Sequence, residues 1–376
     1  MRHDNPDVLI LSTGLGFGHH QASQAITEAL LERNPEIRTE TLDYLSLLPR
    51  NLAKGIPWGH QSLAKNWPTG YGLMYRTTSW MSRFESWNKI EQRPGLSRLG
   101  ELLEEVRPRL VIVTHPMPLM AVSVLRGEKR YLGHSLAIVT DYVVHPDWIR
   151  PNIDHYCVPT GEVQELLMKR GFDRSRVSAT GIPLRHAFHS PLDYATMRQK
   201  LGWDSVPRIL FIVGSQGMRP KPALKAIDNL LSLSHEVRLV VITAEDAALF
   251  QHLGRRKAGE TRLTILPYQN NIHEWMAGSD VVITKAGALT TSEVLSLRRP
   301  LIIFRPLPGQ ETGNTRWLMN SGAAFHCETP LDLARAAAQL LSDRSLPEGM
   351  AKAASEVARP LAAKSIAEVC LELIGS

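Results

Sequence analysis

Two stretches of the sequence share one arrangement, in which a short apolar strand leads into a glycine-rich loop and then a helical pattern. Residues 7–12 run into Gly-Leu-Gly-Phe-Gly-His-His, and apolar side chains then recur at helical spacing over residues 21–34. The second stretch is the strand 208–213 followed by Gly214-Ser215-Gln216-Gly217. Further strands alternate with helical segments in both halves, which is typical of parallel sheets covered by helices. We therefore predict an α/β fold with two Rossmann-like, doubly wound domains.

The length of the chain also favours two domains, because 376 residues are many for one hydrophobic core. Residues from about 184 to 207, with prolines at 191 and 207, have the pattern of a connector plus one helix between the two halves. We place the N-terminal domain at residues 1–187 and the C-terminal domain at residues 188–355. The Ala-rich helical segment 356–376 can pack back on the first domain.

The composition excludes several classes of protein. No apolar run reaches the roughly 18 to 20 residues that span a bilayer, and the N-terminus lacks the pattern of a secretory leader. Cys157, Cys327 and Cys370 lie far apart, so they suggest neither a disulfide framework nor a zinc site. We expect a cytoplasmic protein whose thiols are reduced and packed.

The positive charge of the chain is concentrated in one window. A net charge of +6 and a pI near 9.3 suit nucleic acid, an anionic membrane surface or a phosphorylated small substrate. Residues 51–98 contain seven Lys or Arg against two Glu, together with four of the eight Trp. The basic residues are Lys54, Lys65, Arg76, Arg83, Lys89, Arg93 and Arg98, and the tryptophans are Trp58, Trp67, Trp80 and Trp87. The window is either a basic aromatic binding surface or a mixture of core tryptophans and solvated charges.

The stretch 281–293 predicts a site for an anion. A β-branched strand, 281–284, is followed by Lys285 and breaks at Ala286-Gly287, and the residues from Leu289 onward have a helical pattern. The first amides of such a helix have no intrahelical partner, so these amides and the positive end of the helix dipole favour a phosphate. Glu293 lies one turn inside this helix.

Polar side chains follow in the segment after the next strand. Gln310, Glu311 and Asn314 fall in a stretch punctuated by Pro and Gly, which predicts a loop. Carboxylates and amides beside a phosphate site suit the hydroxyls of a ribose or a hexose. The alternative is a plain strand–turn–helix with a polar loop above it.

A second polar cluster is predicted at the C-terminal rim of the first sheet, where doubly wound sheets bind ligands. His19 ends the first glycine loop, His115 and Asp141 each follow a strand, and His145 lies just beyond Asp141. Because imidazole titrates nearest neutrality, His19 can act as a base, although a helix-capping or solvated histidine is the alternative. Asp141 can orient an imidazole, bind a substrate hydroxyl or cap a turn. Asp43 would suit a nicotinamide cofactor, but the first loop lacks the GxGxxG spacing.

These motifs resemble those of the monogalactosyldiacylglycerol synthases and the bacterial processive diacylglycerol glucosyltransferases, relatives of the lipid-linked N-acetylglucosaminyltransferase of peptidoglycan synthesis. The resemblance is carried by GLGFGHHQAS (14–23), THP (114–116), TDYVVHPDW (140–148), TGIP (180–183), GSQGM (214–218), NNIHEWMAGSDVVITKAGALTTSE (270–293) and PGQETGN (308–314). It implies the glycosyltransferase B fold, in which two Rossmann-like domains face each other across a cleft. The acceptor would bind the N-terminal domain and a UDP-sugar the C-terminal domain.

The resemblance also implies roles for individual residues. His19 matches the catalytic base, Glu293 the ribose ligand, and Gln310 and Glu311 the hexose contacts. The implied donor-binding set is Gly214, Ser215, Gln216, Gly217, Tyr268, Lys285, Gly287, Ala288, Thr290, Glu293, Gln310, Glu311 and Asn314, and the acceptor-side set is Gly18, His115, Asp141 and His145. Ala286 departs from the proline that the family more often has, and Leu15 and Phe17 depart from its smaller loop residues.

The predicted function follows from the motifs and the resemblance together. The chain would move a hexose from UDP-glucose or UDP-galactose to diacylglycerol or a glycosyldiacylglycerol, with residues 51–98 on an anionic membrane surface. A single base and the lack of a D-x-D motif predict an inverting transfer without a metal ion or cofactor. No nucleic-acid motif accompanies the basic window. The alternatives are a UDP-sugar or anionic-lipid binding module without turnover, a UDP-sugar epimerase on the same fold, and a nicotinamide enzyme that uses Asp43.

Overall fold

The computed structural model describes residues 5–81, 95–213, 218–233 and 236–375. The chain forms two compact units. The first contains residues 1–60, 73–186 and 359–376, and the second contains 61–72 and 187–358. Residues 61–72, which the sequence places in the N-terminal domain, are therefore grouped with the second unit. The physical reason is packing, because Ala64 and Tyr71 bury their side chains against Leu307.

Each unit is built on one six-stranded sheet in which every pair of neighbouring strands is parallel. The strands of the first sheet are β1 Val8–Ser12, β2 Thr39–Asp43, β3 Leu110–Val113, β4 His134–Ile138, β5 His155–Val158 and β6 Val177–Ala179. The strands of the second are β7 Arg208–Ile212, β8 Arg238–Ile242, β9 Leu263–Leu266, β10 Val281–Thr284, β11 Leu301–Phe304 and β12 Ala324–Cys327. The prediction of two doubly wound parallel sheets is confirmed.

Helices connect the strands of the described chain, except between β4 and β5, where the segment contains only a 3₁₀ turn. In chain order they are α1 Phe17–Arg33, α2 Arg50–Asn66, α3 Pro68–Met81, α4 Leu96–Val106, α5 Pro116–Gly127, α6 Gly161–Lys169, α7 Tyr194–Lys200, α8 Pro220–Leu231, α9 Ala247–Arg256, α10 Ile272–Ala277, α11 Ala288–Ser296, α12 Gln310–Asn320, α13 Pro330–Ser342, α14 Ser345–Val357 and α15 Ala362–Gly375. Short 3₁₀ turns occur at Tyr44–Leu47, Pro146–Trp148, Arg174–Arg176 and His186–Phe188. None of the helices in the described part of the chain is both long and apolar enough to cross a membrane.

The strand order places a ligand-binding crevice in each sheet. The order β2-β1-β3-β4-β5-β6 in the first sheet reverses direction between β1 and β3, and the order β12-β11-β10-β7-β8-β9 in the second reverses between β7 and β10. In open α/β sheets the crevice lies beyond the carboxyl ends of the strands at this reversal, because the two connecting segments there leave to opposite faces. The loops after β1 and β3, and those after β7 and β10, therefore mark the two candidate sites.

Helices cover both faces of the first sheet, which explains its continuous apolar strands. Val8 and Ile10 of β1 pack on one face with Ile26 of α1, whereas Leu9 and Leu11 pack on the other. The C-terminal helix α15 closes the face that carries α1, where Ile366, Ala367 and Cys370 are fully buried. Arg33 of α1 pairs with Glu368 of α15, and Lys364 pairs with Glu32 at 2.6 Å.

The backbone at Gly181 lies close to the segment that precedes α15, and this explains why the TGIP motif has a glycine there. Gly181 has a φ of +98°, in the left-handed region, and a Cβ there would lie 2.4 Å from the Cβ of Arg359. Pro360, between α14 and α15, has no amide hydrogen and restricts the residue before it, so it ends the helical run. The predicted helical segment 356–376 therefore includes the end of one helix, α14, and the whole of the next, α15.

Candidate functional site

The first candidate site lies at the reversal between β1 and β3. The chain leaves β1 through Gly14 and Gly16, and α1 then begins at Phe17, four residues earlier than the sequence pattern predicted. Gly16 has a φ of +128°, a backbone conformation that side chains with a Cβ rarely adopt. Gly18 and His19 therefore lie in the first turn of a helix, not at the end of a loop.

His19 is held by a hydrogen bond to the backbone at the end of β3. Its Nδ1 atom lies 2.7 Å from the carbonyl oxygen of Thr114, and the Oγ1 atom of Thr140 lies 3.4 Å from the same nitrogen. The carbonyl oxygen can only accept, so Nδ1 carries the proton. In the neutral ring Nε2 then carries the lone pair, which is the arrangement that a proton acceptor requires. Ser23, one turn further along α1, donates its hydroxyl to the carbonyl of His19 at 2.9 Å.

The surroundings of His19 favour its neutral form. Burial lowers the pKa of His19 to about 4; the hydrogen bond to Thr114 opposes this shift, and the nearby positive charge of His60 adds to it. A buried imidazolium loses the water that would stabilise its charge, and no acid stands among the groups that set this pKa. His19 is consequently unprotonated at neutral pH and available to accept a proton.

His115 packs directly on His19. The two ring centroids are 4.8 Å apart and the rings are nearly perpendicular, with an interplanar angle of 86°. The Nδ1 atom of His115 accepts a hydrogen bond from the amide of Met117 at 3.1 Å and so caps the N-terminus of α5. Burial, with smaller contributions from the charges of His19 and His60, lowers the pKa of His115 well below its usual value. The structure thus brings together the two histidines that the sequence placed on one rim.

The other acceptor-side predictions fall beyond the end of β4. Asp141 is buried and follows Thr140, which contacts His19. His145 caps the 3₁₀ turn at residues 146–148, and its Nδ1 atom lies 2.9 Å from a carboxylate oxygen of Asp147. The ring of Tyr75 stacks edge-on against that of His145, with centroids 4.6 Å apart. His145 is therefore oriented by a neighbouring acid and by an aromatic ring.

Asp43, the residue that would suit a nicotinamide cofactor, has a structural role. Its carboxylate accepts hydrogen bonds from the backbone amides of Gly14, at 3.2 Å, and Leu45, at 2.9 Å. It thereby fixes the start of the glycine loop and caps the 3₁₀ turn at residues 44–47. These contacts account for an aspartate at position 43 without a role in binding the ribose of a cofactor.

The second candidate site lies beyond β10. Helix α11 begins at Ala288 after Gly287, which provides no side-chain cap. The first intrahelical bond at this end runs from the amide of Thr291 to the carbonyl of Gly287, at 3.0 Å, so the amides of residues 288–290 have no carbonyl partner within the helix. No atom lies within 4 Å of the position that a Cβ of Gly287 would occupy. An anion therefore has both open space and amide donors at the start of α11.

Lys285 and Glu311 flank this helix start. The Nζ atom of Lys285 lies 3.6 Å from Oε1 of Glu311, and each side chain is less than 15% exposed. The other oxygen of Glu311, Oε2, accepts a hydrogen bond from the amide of Leu307 at 2.6 Å. The buried amide of Asn314 donates to the carbonyl of Ala286 at 3.1 Å. These contacts hold the segments after β10 and β11 against one another.

The segment that carries Gln310, Glu311 and Asn314 is a helix, α12, and the prediction of a loop is wrong. Gly309, with a φ of +103°, ends the turn after β11 and lets the helix begin at Gln310. Asn314 lies one turn after Gln310 and is fully buried. The burial of Asn314 and its hydrogen bond to Ala286 stabilise this helix, and the local sequence pattern indicates neither of them.

The remaining donor-side predictions are dispersed along the same rim. Glu293 is buried within α11, and Ala288 and Thr290 lie in the first turn of that helix. Tyr268 follows β9, which is separated from β10 by β7 and β8. The residues Gly214, Ser215, Gln216 and Gly217 lie outside the described residues.

The sequence alone did not single out three residues near His19. The carbonyl of Thr114 fixes the His19 tautomer, and Thr140 contacts the same nitrogen. His60 contributes to the pKa shifts of both His19 and His115. Thr114 and Thr140 are the first residues of the THP and TDYVVHPDW motifs, so the sequence could have indicated that they lie at the site. His60 lies in the basic window, and no motif indicated that it would lie near His19.

Two protein families match this chain, one over each half of the sequence. Residues 19–184 match the family model described as monogalactosyldiacylglycerol (MGDG) synthase, and residues 208–366 match the glycosyltransferase family 28 C-terminal domain. The chain is 28% identical to a processive diacylglycerol beta-glucosyltransferase of Staphylococcus epidermidis, over 99% of this chain and 94% of that protein. It is 29% identical to the protein of the same name from Bacillus pumilus, over 92% of this chain and 89% of that one.

Solved structures share the fold at lower sequence identity. The structure of Staphylococcus aureus MnaA with UDP superposes with a TM-score of 0.65 at 13% identity, covering 99% of this chain and 98% of that one. MurG of Acinetobacter baumannii superposes with a TM-score of 0.57 at 17% identity, covering 98% and 99%. At this identity the likeness establishes the fold alone. The two family models and the full-length relatives establish more: the chain belongs to the family of the monogalactosyldiacylglycerol synthases, with a family 28 C-terminal domain, and is a glycosyltransferase.

Proposed function

We propose that this glycosyltransferase moves a hexose from a UDP-hexose to a hydroxyl of diacylglycerol or of a glycosyldiacylglycerol, with inversion at the anomeric carbon. The observation that carries the proposal is the state of His19. Its Nδ1 proton is bound to the carbonyl of Thr114, so the lone pair of the neutral ring is on Nε2, at the carboxyl ends of β1 and β3. A neutral imidazole with this tautomer suits a general base.

In the proposed reaction, Nε2 of His19 takes the proton of the acceptor hydroxyl. The acceptor oxygen forms a bond to C1 of the hexose while the bond between C1 and the diphosphate oxygen breaks. UDP leaves with the bonding electron pair and with an added negative charge on its terminal phosphate. One displacement at C1 inverts its configuration, and the chemistry requires no covalent glycosyl-enzyme intermediate.

The proposal assigns the donor to the second unit. The unpaired amides at the start of α11 and the cation of Lys285 would stabilise the departing diphosphate. Glu293 would bind the ribose, while Gln310 and Glu311 would bind the hexose. The hydrogen bond from Leu307 and the ion pair with Lys285 support this role for Glu311, because they hold its carboxylate in place before a sugar arrives.

Two kinds of evidence bear on which hexose is transferred. The relatives from S. epidermidis and B. pumilus are named beta-glucosyltransferases, and a beta product made from an alpha-linked UDP-glucose requires inversion. The family model matched by residues 19–184 is described by a galactolipid. We therefore propose UDP-glucose as the first donor to test, with UDP-galactose as its direct comparison.

The proposal also places the protein on the inner face of the cell membrane, as a peripheral protein. Helices α2 and α3 present large apolar side chains to solvent in the first unit, namely Leu52, Trp58, Leu73 and Met74. Trp58 is 74% exposed and follows Lys54 by one helical turn. A tryptophan beside a lysine suits the interface of an anionic membrane, where the acceptor lipid resides.

The experiment is a transfer assay with radiolabelled UDP-glucose or UDP-galactose, with and without dioleoylglycerol in mixed micelles. We expect a labelled glycolipid only when the acceptor is present, with the same yield in EDTA, and a beta linkage by proton NMR. Binding of the UDP-sugar without any product would show a binding module. Interconversion of UDP-sugars without lipid would show an epimerase. Either result would overturn the proposed function.

A further inference from the structure

A cavity in the second unit is lined by residues other than the described ones that are assigned to the donor. It measures about 610 Å³ and opens at the ends of β11 and β12. Its lining comes from α12, from the segment 305–308, from the residues around the end of β12, and from the starts of α8 and α3. None of the described donor residues after β10, nor Gln310, Glu311 or Asn314, lines it. Its volume is within the range of pockets that hold small molecules, roughly 300–1,000 Å³.

The lining of this cavity carries an excess of positive charge. It contains three exposed arginines, Arg219, Arg305 and Arg316. Within the described ranges, none of these three guanidinium groups has an ion pair or a hydrogen bond to another side chain. The carboxylate in the lining, Glu328, accepts a hydrogen bond from Nε2 of His326 at 3.0 Å. Guanidinium groups that line a cavity and have no acidic side chain as an ion-pair partner favour an anion, and phosphate most of all.

The rest of the lining is apolar. Met218 and Leu307 are buried, Met319 is partly exposed, and prolines from three segments complete the wall. A bare phosphate ion would fill a small part of the volume and would gain nothing from this wall. A ligand that uses both features has an anionic phosphate at one end and an apolar portion at the other.

We propose that this cavity binds a phosphate ester with an apolar portion, and that the ester is the head region of an anionic phospholipid. Pro68 and Thr69, at the start of α3, contribute to the lining, and the residue before them, Trp67, is 60% exposed. An exposed tryptophan that directly precedes two lining residues suits the headgroup level of a membrane. The phosphate chemistry stands on the cavity alone, whereas the lipid as its source rests on the proposed membrane function.

The experiment measures binding to the full-length protein by titration calorimetry, without UDP-sugar or acceptor. Three probes separate the sources: dihexanoylphosphatidylglycerol below its micellar concentration, glycerol 3-phosphate, and uncharged dihexanoylglycerol. We expect the phospholipid to bind at least about tenfold more tightly than either of the others, because each of those lacks one of the two features. Saturating UDP should leave this binding unchanged.

Variants of the arginines test the site itself. Arg305→Gln and Arg316→Gln should each weaken phospholipid binding by about tenfold, the scale of one lost charge-assisted hydrogen bond. Arg298→Gln is the matched control, because Arg298 is also exposed, has a φ of +53° against +52° for Arg305, and does not line the cavity. Arg298→Gln should bind like the wild type.

Four outcomes would overturn the proposal. They are equal binding of the phospholipid and glycerol 3-phosphate, absence of phospholipid binding, competition by UDP, and equal losses in the Arg298 and Arg305 variants. The test is separate from that of the function, since the His19→Ala variant should bind the phospholipid normally. A protein that binds the phospholipid at this cavity but transfers no hexose would refute the proposed function alone.

Discussion

The Nδ1 atom of His19 donates a hydrogen bond to the carbonyl oxygen of Thr114 at 2.7 Å. These residues are far apart in the chain but belong to the segments that follow β1 and β3, which are neighbours in the sheet. The bond selects the tautomer in which Nε2 is the acceptor, and burial keeps the ring neutral at physiological pH. One backbone carbonyl therefore determines which nitrogen can take a proton.

The first prediction concerns the base. His19→Ala should lower turnover by roughly a hundredfold or more, the usual scale for a lost acid–base group, and should leave UDP binding unchanged. His20→Ala is the control, because His20 is the exposed neighbour on the same helix. Steady-state kinetics with saturating UDP-hexose and dioleoylglycerol measure the effect. Near-normal turnover in His19→Ala would show that His19 is not the general base.

The second prediction concerns pH and His115. Burial holds the pKa of His115 below its value in the unfolded chain, near 6.5, so the unfolded state binds more protons as the pH falls below that value. The contribution of neutral His115 to the free energy of unfolding is therefore complete above about pH 6.5 and is lost progressively at lower pH. The Nδ1 atom that accepts from Met117 is also the atom that must stay unprotonated to cap α5.

His115→Asn separates the cap from the titration. Asparagine caps helices well and does not titrate, so thermal unfolding of this variant should match the wild type at pH 7.5 and decline less between pH 6.5 and 5. His115→Ala should lose about 1 kcal/mol at pH 7.5, because the cap is absent. Parallel pH curves for the wild type and the Asn variant would contradict this account.

The third prediction divides the donor site. Glu293→Ala should weaken the binding of UDP itself, whereas Glu311→Ala should weaken UDP-hexose and spare UDP. Each loss should reach about 1.5 to 3 kcal/mol, the value of a hydrogen bond to a charged group. Glu348→Ala, on the exposed surface of α14, is the control. Equal losses for both ligands in both variants, measured by calorimetry, would rule out the division.

The fold could largely be predicted because its strands carry a local signal. β1, β3, β10 and β11 are short apolar runs, and they are apolar on both sides because helices bury both faces of each sheet. Two strands at sheet edges, β6 and β12, were missed. β6 has only three residues, and both strands are partly exposed, so their apolar pattern is weak.

The helices that escaped prediction depend on distant contacts. α2 contains Pro57 and two glycines, which disfavour a helix locally, and α12 begins with five polar or glycine residues. Burial of Asn314 and its bond to the carbonyl of Ala286 stabilise α12 from outside its own sequence. For the same reason the motifs identified His19 but not its tautomer, which depends on a carbonyl almost a hundred residues away.

The fourth prediction concerns the C-terminal helix. Ile366 of α15 is fully buried in the cluster that contains Ile26 and Leu30 of α1. Ile366→Ala should lower the free energy of unfolding by about 3 kcal/mol, because it removes buried methyl groups and leaves a cavity. Leu361→Ala should change it by less than about 0.5 kcal/mol, since Leu361 is half exposed. Urea denaturation gives both values, and equal effects would show that α15 is not part of the core.

The last prediction concerns the membrane surface, and the structure changes which residues should be tested. Lys65 is a poor choice, because its Nζ atom pairs with the carboxylate of Asp246 at 3.2 Å. The side chain of Arg76 and all of Arg83 lie outside the described residues. Trp58 and Trp67 are exposed, so they are not core residues. Lys54 and Trp58, one turn apart on α2, therefore represent the electrostatic and the apolar contributions.

Vesicle sedimentation can separate these two contributions. The wild type should bind vesicles that contain phosphatidylglycerol more strongly than phosphatidylcholine vesicles, and high salt should remove most of this preference. Lys54→Glu should reduce the preference, because each basic residue near an anionic surface contributes about 1 kcal/mol. Trp58→Ser should weaken binding to both kinds of vesicle, because the indole favours the interface whatever the lipid charge. Leu132→Ser is the matched control, since Leu132 is 83% exposed elsewhere on the first unit and should have no effect. Binding that is indifferent to lipid charge, to salt and to both α2 substitutions would show that this exposed face has no role at the membrane.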